Sequence, residues 1–271
     1  MAINKRNQKP ETSPSTKLRT GTEQSRSARN QNNLKGKNIL ITAGPTWVPI
    51  DNVRVISNIA TGSTGILLAE HLSKLGAKVT LILGPVPNVA FLRRVSSGSR
   101  REAKKVTTFG ISSCCINRKV KIINFKFFDE FKDKLKKELR SKKYDIVIHS
   151  AAVSDYRLEK SFGQKISSDK KSWRLKLVPT PKIIDMIREL DNSLFLVGFK
   201  FELHRRRTVL IEKAKAFLGR SRLNLVVANS TGKNKYEAYI VSHDKVCGPM
   251  QSKKELSKIL IKYIERLKYY V

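Results

Sequence analysis

One stretch of the chain combines residue types that could bind and activate a phosphate-bearing substrate. It reads Arg54-Val-Ile-Ser-Asn58-Ile-Ala-Thr-Gly62-Ser-Thr-Gly65 and lies between a strand-like run and a helix-like run. Glycines at such a junction let the backbone approach a ligand, and the free N–H groups of the helix attract phosphate. The same Gly-x-x-Gly pattern also fits an ordinary strand-to-helix turn. From this stretch alone, a nucleotide site and a plain turn both stay open.

The surrounding chain alternates between short apolar runs and amphipathic segments. Residues 37–43 and 78–83 are typical of buried strands, and residues 64–75 between them have helical periodicity, which predicts a βαβ unit. Further strands are predicted at 120–125, 145–149, 173–178, 194–199, 223–228 and 236–241, and further helices at 127–140, from 180–181, at 205–218 and at 252–267. The prediction is an α/β fold: a Rossmann-like parallel sheet with helices on both faces, plus a small outlying strand region near the C-terminus.

Small and polar residues follow the predicted strands at the points where they end. Ligands of open α/β sheets bind at the carboxyl ends of the strands, so these residues are candidates for one site. Alanines would let a substrate lie against the backbone, an aspartate could accept hydrogen bonds, and a phenylalanine could stack on a base. Packing, a turn and the core are the alternatives for these residue types. The residues are Gly44, Ala151, Ala152, Asp155, Phe199 and Asn229.

Composition predicts how the chain is organised. Residues 1–36 are polar and basic, which predicts a disordered tail, and residues 37–271 are predicted to form a single α/β domain with an insertion near 91–118. No apolar run is long enough to span a membrane and no secretory signal is visible, so a soluble cytoplasmic protein is expected. Its 3 cysteines and 4 histidines show no metal-ligand spacing, so no metal-binding residues are predicted.

The charge is strongly basic, with 55 Lys and Arg against 22 Asp and Glu and a net charge of +33. Such a balance suits nucleic acid, but the basic residues are spread through predicted helices and loops and accompany no recognised nucleic-acid motif. General attraction for polyanions or phosphate substrates explains the charge as well. Specific nucleic-acid binding is therefore not expected.

The order of several motifs resembles the phosphopantothenate–cysteine ligase family, the synthetases that make phosphopantothenoylcysteine in coenzyme A biosynthesis. The resemblance runs from about residue 37 to the end of the chain, without a flavin-dependent decarboxylase domain in front, so a stand-alone synthetase is expected. The motifs are Ile41-Thr-Ala-Gly-Pro-Thr-Trp-Val-Pro-Ile-Asp51-Asn-Val-Arg54-Val-Ile-Ser-Asn58, Thr61-Gly62, Gly65, Ala151-Ala-Val-Ser-Asp155-Tyr-Arg157, Lys165-Ile166, Pro179-Thr-Pro181, Val197-Gly-Phe-Lys-Phe-Glu202 and Leu225-Val-Val-Ala-Asn229.

The resemblance implies a two-step reaction. A carboxylate of 4′-phosphopantothenate attacks the α-phosphate of CTP or ATP, accompanied by Mg²⁺, and the amine of L-cysteine then displaces the nucleotide. It implies that Asn58 and Lys165 are catalytic, and that Arg54 reaches the phosphopantothenate of a neighbouring subunit in a homodimer. The substrate would contact Asn58, Ala151, Ala152 and Asp155, and the nucleotide would contact Gly44, Gly62, Gly65, Pro181, Phe199 and Asn229.

The sequence departs from the family pattern at positions that concern the triphosphate. Trp47, Ala60, Ser63-Thr64 and Ser167-Ser168 stand where relatives carry other residues, so the choice between CTP and ATP stays open. Two other function classes also stay open. A nicotinamide-dependent reductase would use the first βαβ unit, although Gly-x-Gly-x-x-Gly is missing and no acidic residue follows 78–83. A polyanion-binding protein on an inactive synthetase fold is the other.

Overall fold

The computed structural model describes residues 34–86, 119–203, 206–232 and 235–266. Residues 1–33 of the predicted tail and the predicted insertion at 91–118 lie outside this part. The predicted start of the domain at residue 37 is slightly late. Leu34 is 3% exposed and belongs to the core, and the N–H of Gly36 donates to the carbonyl of Gly76 at 3.0 Å.

An 8-stranded sheet organises the described chain, with strand order β12-β11-β10-β9-β6-β1-β4-β5. In this order, each strand from β10 through β9, β6, β1 and β4 to β5 runs parallel to the next, as the βαβ alternation predicts. These strands are β1 Asn38–Ala43, β4 Lys78–Leu83, β5 Lys121–Asn124, β6 Ile146–His149, β9 Phe195–Leu203, β10 Leu225–Thr231, β11 Tyr236–Val241 and β12 Val246–Met250.

The strand predicted to be outlying is β11, and the structure places it inside this sheet, antiparallel to both of its neighbours. Residues 238–241 are buried on both faces of the sheet, which explains why it is not a separate region.

Helices cover both faces of the sheet, as predicted. The helices α1 Ser63–Lys74 and α5 Lys253–Glu265 pack on one face through their apolar sides. On the other face lie α2 Phe128–Ser141, α3 Ile183–Leu190 and α4 Arg207–Arg220. Residues of the central strands alternate between these two clusters, for example Ile39 and Ile41 in one and Leu40 in the other. Within the part that the structure describes, no helix is both long and apolar enough to cross a membrane.

Two short ribbons stand apart from the main sheet. The first is an antiparallel hairpin of β2 Trp47–Pro49 and β3 Val55–Ser57, and the second pairs β7 Tyr156–Leu158 with β8 Leu177–Pro179. The strand predicted at 173–178 is confirmed only at its end, where β8 begins at Leu177, and it pairs with β7 outside the main sheet. Trp173 and Leu175 instead pack against a small apolar cluster formed by Val48, Ile50 and Leu158, which joins the two ribbons.

The register of the sheet locates its carboxyl edge. Thr42 of β1 lies opposite His149 of β6, which lies opposite Gly198 of β9. Strand β9 then continues to Leu203 and β10 to Thr231, so these strands project past the ends of β1 and β6. Phe199 was predicted at the end of its strand and Asn229 directly after its strand, but both lie within β9 and β10 because ladder pairing between these two strands continues to their ends.

Candidate functional site

Asn58 follows β3 directly and joins its loop to the loop after β6. Its side-chain Nδ2 donates to the carbonyls of Ala152 and Val153, both at 3.1 Å. Both N–H groups of the amide are therefore used within the chain, and the side-chain carbonyl Oδ1 is the atom left for other contacts. An amide bound in this way must release one carbonyl before it can donate to a substrate oxyanion.

The loop after β6 is held against the end of β1 by backbone and hydroxyl contacts. The N–H of Ala152 donates to the carbonyl of Gly44 at 2.9 Å, and the N–H of Ala151 donates to Oγ1 of Thr42 at 3.3 Å. Thr46 and Ser154 lock the next turn, because Oγ1 of Thr46 accepts from the N–H of Ser154 at 2.9 Å. The structure thus brings Gly44, Ala151 and Ala152 together with Asn58, as the sequence predicts.

Gly62 and Gly65 permit a close approach of α1 to the sheet. A Cβ at Gly65 would lie 2.6 Å from Cβ of Ala43 and 2.8 Å from Oγ of Ser150, so only glycine fits there. Gly62 precedes α1 with φ of 66°, and a Cβ there would lie 3.2 Å from the backbone N of Gly44. These contacts give both glycines a packing role, and contact with a nucleotide stays a prediction.

The N-terminus of α1 is open toward this edge of the sheet. Gly62 at the N-cap makes no side-chain capping bond, and the first turn of the helix contains no acidic residue. Among the described contacts, only Oγ1 of Thr61 approaches a first-turn amide, that of Ser63, at 3.4 Å. Uncapped N–H groups and the positive end of a helix dipole favour an anion.

Asp155 and the segment after β8 close one side of the site. Asp155 is largely exposed and forms an ion pair with Lys182 at 2.5 Å. A helix was predicted from 180–181, but α3 begins at Ile183 with Lys182 at its N-cap. The hydroxyl of Thr180 instead donates to the carbonyl of Ser154 at 2.6 Å, and this bond ties the end of β8 to the loop after β6. Pro181 therefore lies beside Asp155, ahead of the helix.

Asp51 is the polar centre of the β2–β3 hairpin. Its side chain is fully buried, and its carboxylate accepts backbone N–H groups of Val53 at 2.9 Å, Arg54 at 2.7 Å and Ile166 at 3.2 Å. Burial alone would raise the pKa of Asp51, but these three hydrogen bonds and the Arg54 guanidinium lower it overall. A charged Asp51 thus ties the hairpin to the segment that carries Lys165.

Arg54 strengthens the same connection from the outside. Its Nη2 donates to the carbonyl of Ile166 at 2.9 Å, its Nη1 lies 3.6 Å from the Asp51 carboxylate, and its guanidinium stacks 5.2 Å over the ring of Trp173. These contacts bind Arg54 within its own chain. Lys165 is exposed, and its neighbour Ile166 provides the anchor.

Phe199 and Asn229 lie on the face of the sheet that α1 and α5 cover. Phe199 is half-buried and packs against the core cluster of that face, as the core alternative for this residue predicts. Asn229 is also half-buried and lies opposite Phe201 of β9. The structure does not join either side chain to the group around Asn58.

Several residues of this edge were not predicted from the sequence. Asp51 and Lys182 are ordinary charged residues in their local segments, and their roles depend on contacts with distant parts of the chain. Lys253, the first residue of α5, was not distinguished from the other lysines of an amphipathic helix, yet its Nζ donates to Oγ of Ser63 at 2.7 Å. Among the described residues, no group of three His, Cys, Asp or Glu could hold a metal ion.

The fold and the site together define a class of protein: a Rossmann-like α/β protein whose ligands would lie at the carboxyl edge of a mostly parallel sheet. Residues 34–110 and 99–267 match the family model described as the DNA/pantothenate metabolism flavoprotein C-terminal domain. The chain belongs to this family, which confirms the resemblance found in the sequence motifs.

Relatives of known name agree with this assignment. The chain is 34% identical over 238 residues to the coenzyme A biosynthesis bifunctional protein CoaBC of Thermococcus kodakarensis, and the match covers 86% of this chain and 52% of the relative. The crystal structure of the C-terminal domain of a CoaBC protein is 26% identical, with a TM-score of 0.64, and the match covers 87% of this chain and 97% of that domain.

A mutant of Cab2 in complex with phosphopantothenate-cysteine shares the fold, with a TM-score of 0.62 at 20% identity, covering 93% of this chain and 95% of that one. The chain spans about half the length of the curated relatives that it matches.

Proposed function

We propose that this chain is a phosphopantothenate–cysteine ligase that joins 4′-phosphopantothenate to L-cysteine at the expense of a nucleoside triphosphate. One observation carries the proposal: the β2–β3 hairpin positions both predicted catalytic segments. Asp51 in its turn holds the Lys165 segment, and Asn58 directly after it holds the loop of Ala151 and Ala152. Family membership and the phosphopantothenate-cysteine bound by the related Cab2 mutant support the choice of substrates.

In the proposed reaction, a carboxylate oxygen of phosphopantothenate attacks the α-phosphorus of the triphosphate. The bond to the β-phosphate breaks, giving an acyl-nucleotide and pyrophosphate. The amine of cysteine then attacks the acyl carbon, loses a proton and expels the nucleoside monophosphate. Both steps build negative charge on oxygen, which fixed donors and cations at this edge of the sheet would stabilise.

In this proposal, Asn58 exchanges one of its carbonyl contacts for the oxyanion of the substrate. The exchange would link substrate binding to the position of the loop after β6, because the same amide now holds Ala152 and Val153. Lys165 would neutralise charge on the transferred phosphate. Its exposed position suits this role, since a flexible ammonium can move onto an incoming anion.

The nucleotide would approach the open N-terminus of α1, past Gly44, Gly62 and Gly65, with Pro181, Phe199 and Asn229 as more distant contacts. Both CTP and ATP suit the phosphate chemistry. The described side chains offer no dedicated cluster of ligands for Mg²⁺, so the ion would arrive bound to the phosphate oxygens of the nucleotide, where it offsets their charge. Because nucleoside triphosphates are made inside the cell, we expect the reaction to take place in the cytoplasm.

The proposed active unit is a homodimer. Apolar side chains are exposed on the two ribbons and the loop beside the site, and such a concentration is typical of an interaction surface. A second copy of this chain is the expected occupant, because the surface flanks Asn58 and Arg54, and Arg54 has more N–H donors than its contacts use. The exposed residues are Val53, Val55, Ile59, Tyr156 and Leu177.

Release of pyrophosphate tests the proposed activity. The purified chain is incubated with phosphopantothenate, cysteine, Mg²⁺ and either CTP or ATP, and each component is left out in turn. We expect pyrophosphate with phosphopantothenate and a triphosphate, and amide product only when cysteine is added. No pyrophosphate with any nucleotide would contradict the proposal. Binding of NADPH instead would favour a reductase, and tight, salt-dependent binding of nucleic acid without turnover would favour an inactive polyanion-binding protein.

A further inference from the structure

Lys253 connects the helix α5 to the open N-terminus of α1. It is the first residue of α5, and its Nζ donates to Oγ of Ser63, the first residue of α1, at 2.7 Å. Farther along the two helices, Nδ1 of His71 and Oγ of Ser257 lie 3.0 Å apart. The helices therefore run side by side in the same direction, and both begin at the carboxyl edge of the sheet.

The ammonium of Lys253 lacks a carboxylate partner among the described residues. The other lysines of α5, Lys254, Lys258 and Lys262, are exposed, whereas Lys253 is only partly exposed. Burial lowers its pKa, which reflects the cost of holding the charge there. The nearest acidic residue of its own helix, Glu255, is directed away, because its carboxylate accepts the N–H of Gln251 at 2.7 Å.

The N-termini of α1 and α5, between which the ammonium of Lys253 lies, differ in their capping. The N-terminus of α5 is capped, since Oγ of Ser252 accepts the N–H of Glu255 at 3.1 Å. The N-terminus of α1 has no such cap and no acidic residue in its first turn. A cation at helix N-termini is unfavourable, because it adds positive charge to the positive ends of two dipoles. An anion at this place would relieve the repulsion and accept hydrogen bonds from Lys253 and from α1.

This place adjoins the site that contains Asn58. Gly62 precedes Ser63, and a Cβ on Gly62 would lie 3.2 Å from the backbone N of Gly44. The carbonyl of Gly44 in turn accepts the N–H of Ala152, the residue that Asn58 holds. A ligand that extends from Asn58 past Gly44 along the edge of the sheet therefore reaches Ser63 and the ammonium.

We propose that Lys253 binds the terminal phosphates of the nucleoside triphosphate, together with the backbone N–H groups at the start of α1. This inference rests on the proposed ligase function and adds a residue to its nucleotide site. Oγ of Ser63 holds the ammonium in place and leaves it further N–H donors for phosphate oxygens. Lys253 thus separates triphosphates from monophosphates, which lack the groups that it contacts.

Calorimetric titration with CTP and ATP, and with CMP and AMP for reference, tests this assignment without depending on turnover. In Lys253→Met, we expect triphosphate affinity to fall roughly 10- to 100-fold, the range of a charge-assisted hydrogen bond, while monophosphate affinity stays within about threefold. Ser63→Ala keeps the ammonium, so its loss of triphosphate affinity should be much smaller. Lys253→Arg keeps a positive charge at this position and should retain most of the affinity. A loss confined to the methionine variant is then a loss of charge and not an effect of changing the residue at this position.

Lys254→Met is the matched control, because it removes one positive charge from the neighbouring, exposed position of α5. It should leave both affinities unchanged. Equal weakening of triphosphate and monophosphate binding in Lys253→Met, or none, overturns the assignment while pyrophosphate release by the wild-type chain still upholds the ligase. A wild-type chain that binds no nucleotide and releases no pyrophosphate overturns both proposals together.

Discussion

Asp51 and Ile166, 115 positions apart in the chain, are joined by a hydrogen bond of 3.2 Å from the backbone N–H of Ile166 to Oδ2 of Asp51. The bond fixes the segment that carries Lys165 to the β2–β3 hairpin, and the same carboxylate holds the turn of that hairpin through the N–H groups of Val53 and Arg54. One buried side chain therefore controls where the proposed catalytic lysine lies.

Replacing Asp51 by asparagine should lower turnover through Lys165. The neutral amide weakens the three N–H contacts and the interaction with Arg54, so the Lys165 segment moves more freely and kcat falls up to about 100-fold. Lys165→Gln should lower kcat at least as far, with little change in thermal stability, because the side chain is exposed. Asp169→Asn, an exposed change in the same segment, is the control and should leave kcat unaltered.

The double variant separates positioning from simple loss of stability. If Asp51 acts through Lys165, adding Asp51→Asn to Lys165→Gln should lower kcat little further, although it still lowers the thermal unfolding midpoint. Fully additive effects on kcat would show that Asp51 influences turnover by another route.

The main sheet and the helices were predictable because they follow from local patterns. The centres of runs such as 37–43 and 145–149, residues 39–41 and 146–148, are apolar without interruption, as is typical of buried parallel strands that helices cover on both faces. The two ribbons were missed or misplaced because their strands are short, half-exposed and held by a small cluster of apolar residues. Trp173 shows the difficulty: its apolar side chain indicated a strand, while its packing partners come from β2 and β7.

Site residues were predictable where their own local motif identified them, and were not predictable where their role depends on contact with a distant segment. Asn58 and Ala152 were both candidates, and the structure brings them into contact. Asp51 and Lys253 were not, since each gains its role from a residue more than a hundred positions away, Ile166 in one case and Ser63 in the other. Local periodicity carries no information about such pairs.

Asn58→Asp should abolish synthesis and also loosen the loop after β6. A carboxylate at this position would face the carbonyl oxygens of Ala152 and Val153, which now accept from Nδ2, and three oxygen acceptors cannot satisfy one another. We expect kcat to fall by roughly 10²- to 10³-fold, in the range for loss of a transition-state donor. Asn58→Ala removes the donor without the repulsion, so it should be similarly inactive but more stable than the aspartate variant. Equal stability of the two variants would argue against the contacts with the loop.

Gly65→Ala should destabilise the fold, whereas Gly219→Ala should not. The new methyl group at 65 would lie 2.6 Å from Cβ of Ala43, so α1 must shift away from the sheet at a cost of about 1–3 kcal/mol. Gly219 lies in α4 with nothing within 4 Å of a Cβ, and alanine there should stabilise the helix by up to about 1 kcal/mol. Urea unfolding followed by circular dichroism measures both changes. A neutral result at 65 would contradict the tight contact of α1 with β1.

His149 should make the fold less stable as the pH falls. Its ring is buried, lies parallel to the ring of Phe131 and interacts through Nδ1 with Oγ1 of Thr42 at 2.8 Å; burial lowers its pKa from 6.5 to about 4. Between these values the unfolded chain binds a proton at this residue and the folded chain does not. The free energy of unfolding therefore decreases from pH 6.5 to pH 4, by about 3 kcal/mol from this residue.

The difference between the wild type and His149→Gln isolates this contribution, because carboxylates with lowered pKa values, such as Asp145, weaken the fold in acid in both proteins. Urea unfolding at intervals from pH 7 to pH 4 should show a steeper loss of stability in the wild type than in the glutamine variant. Parallel curves would mean that His149 gains a proton in the folded state as readily as in the unfolded one, and hence that the carboxyl end of β6 admits water.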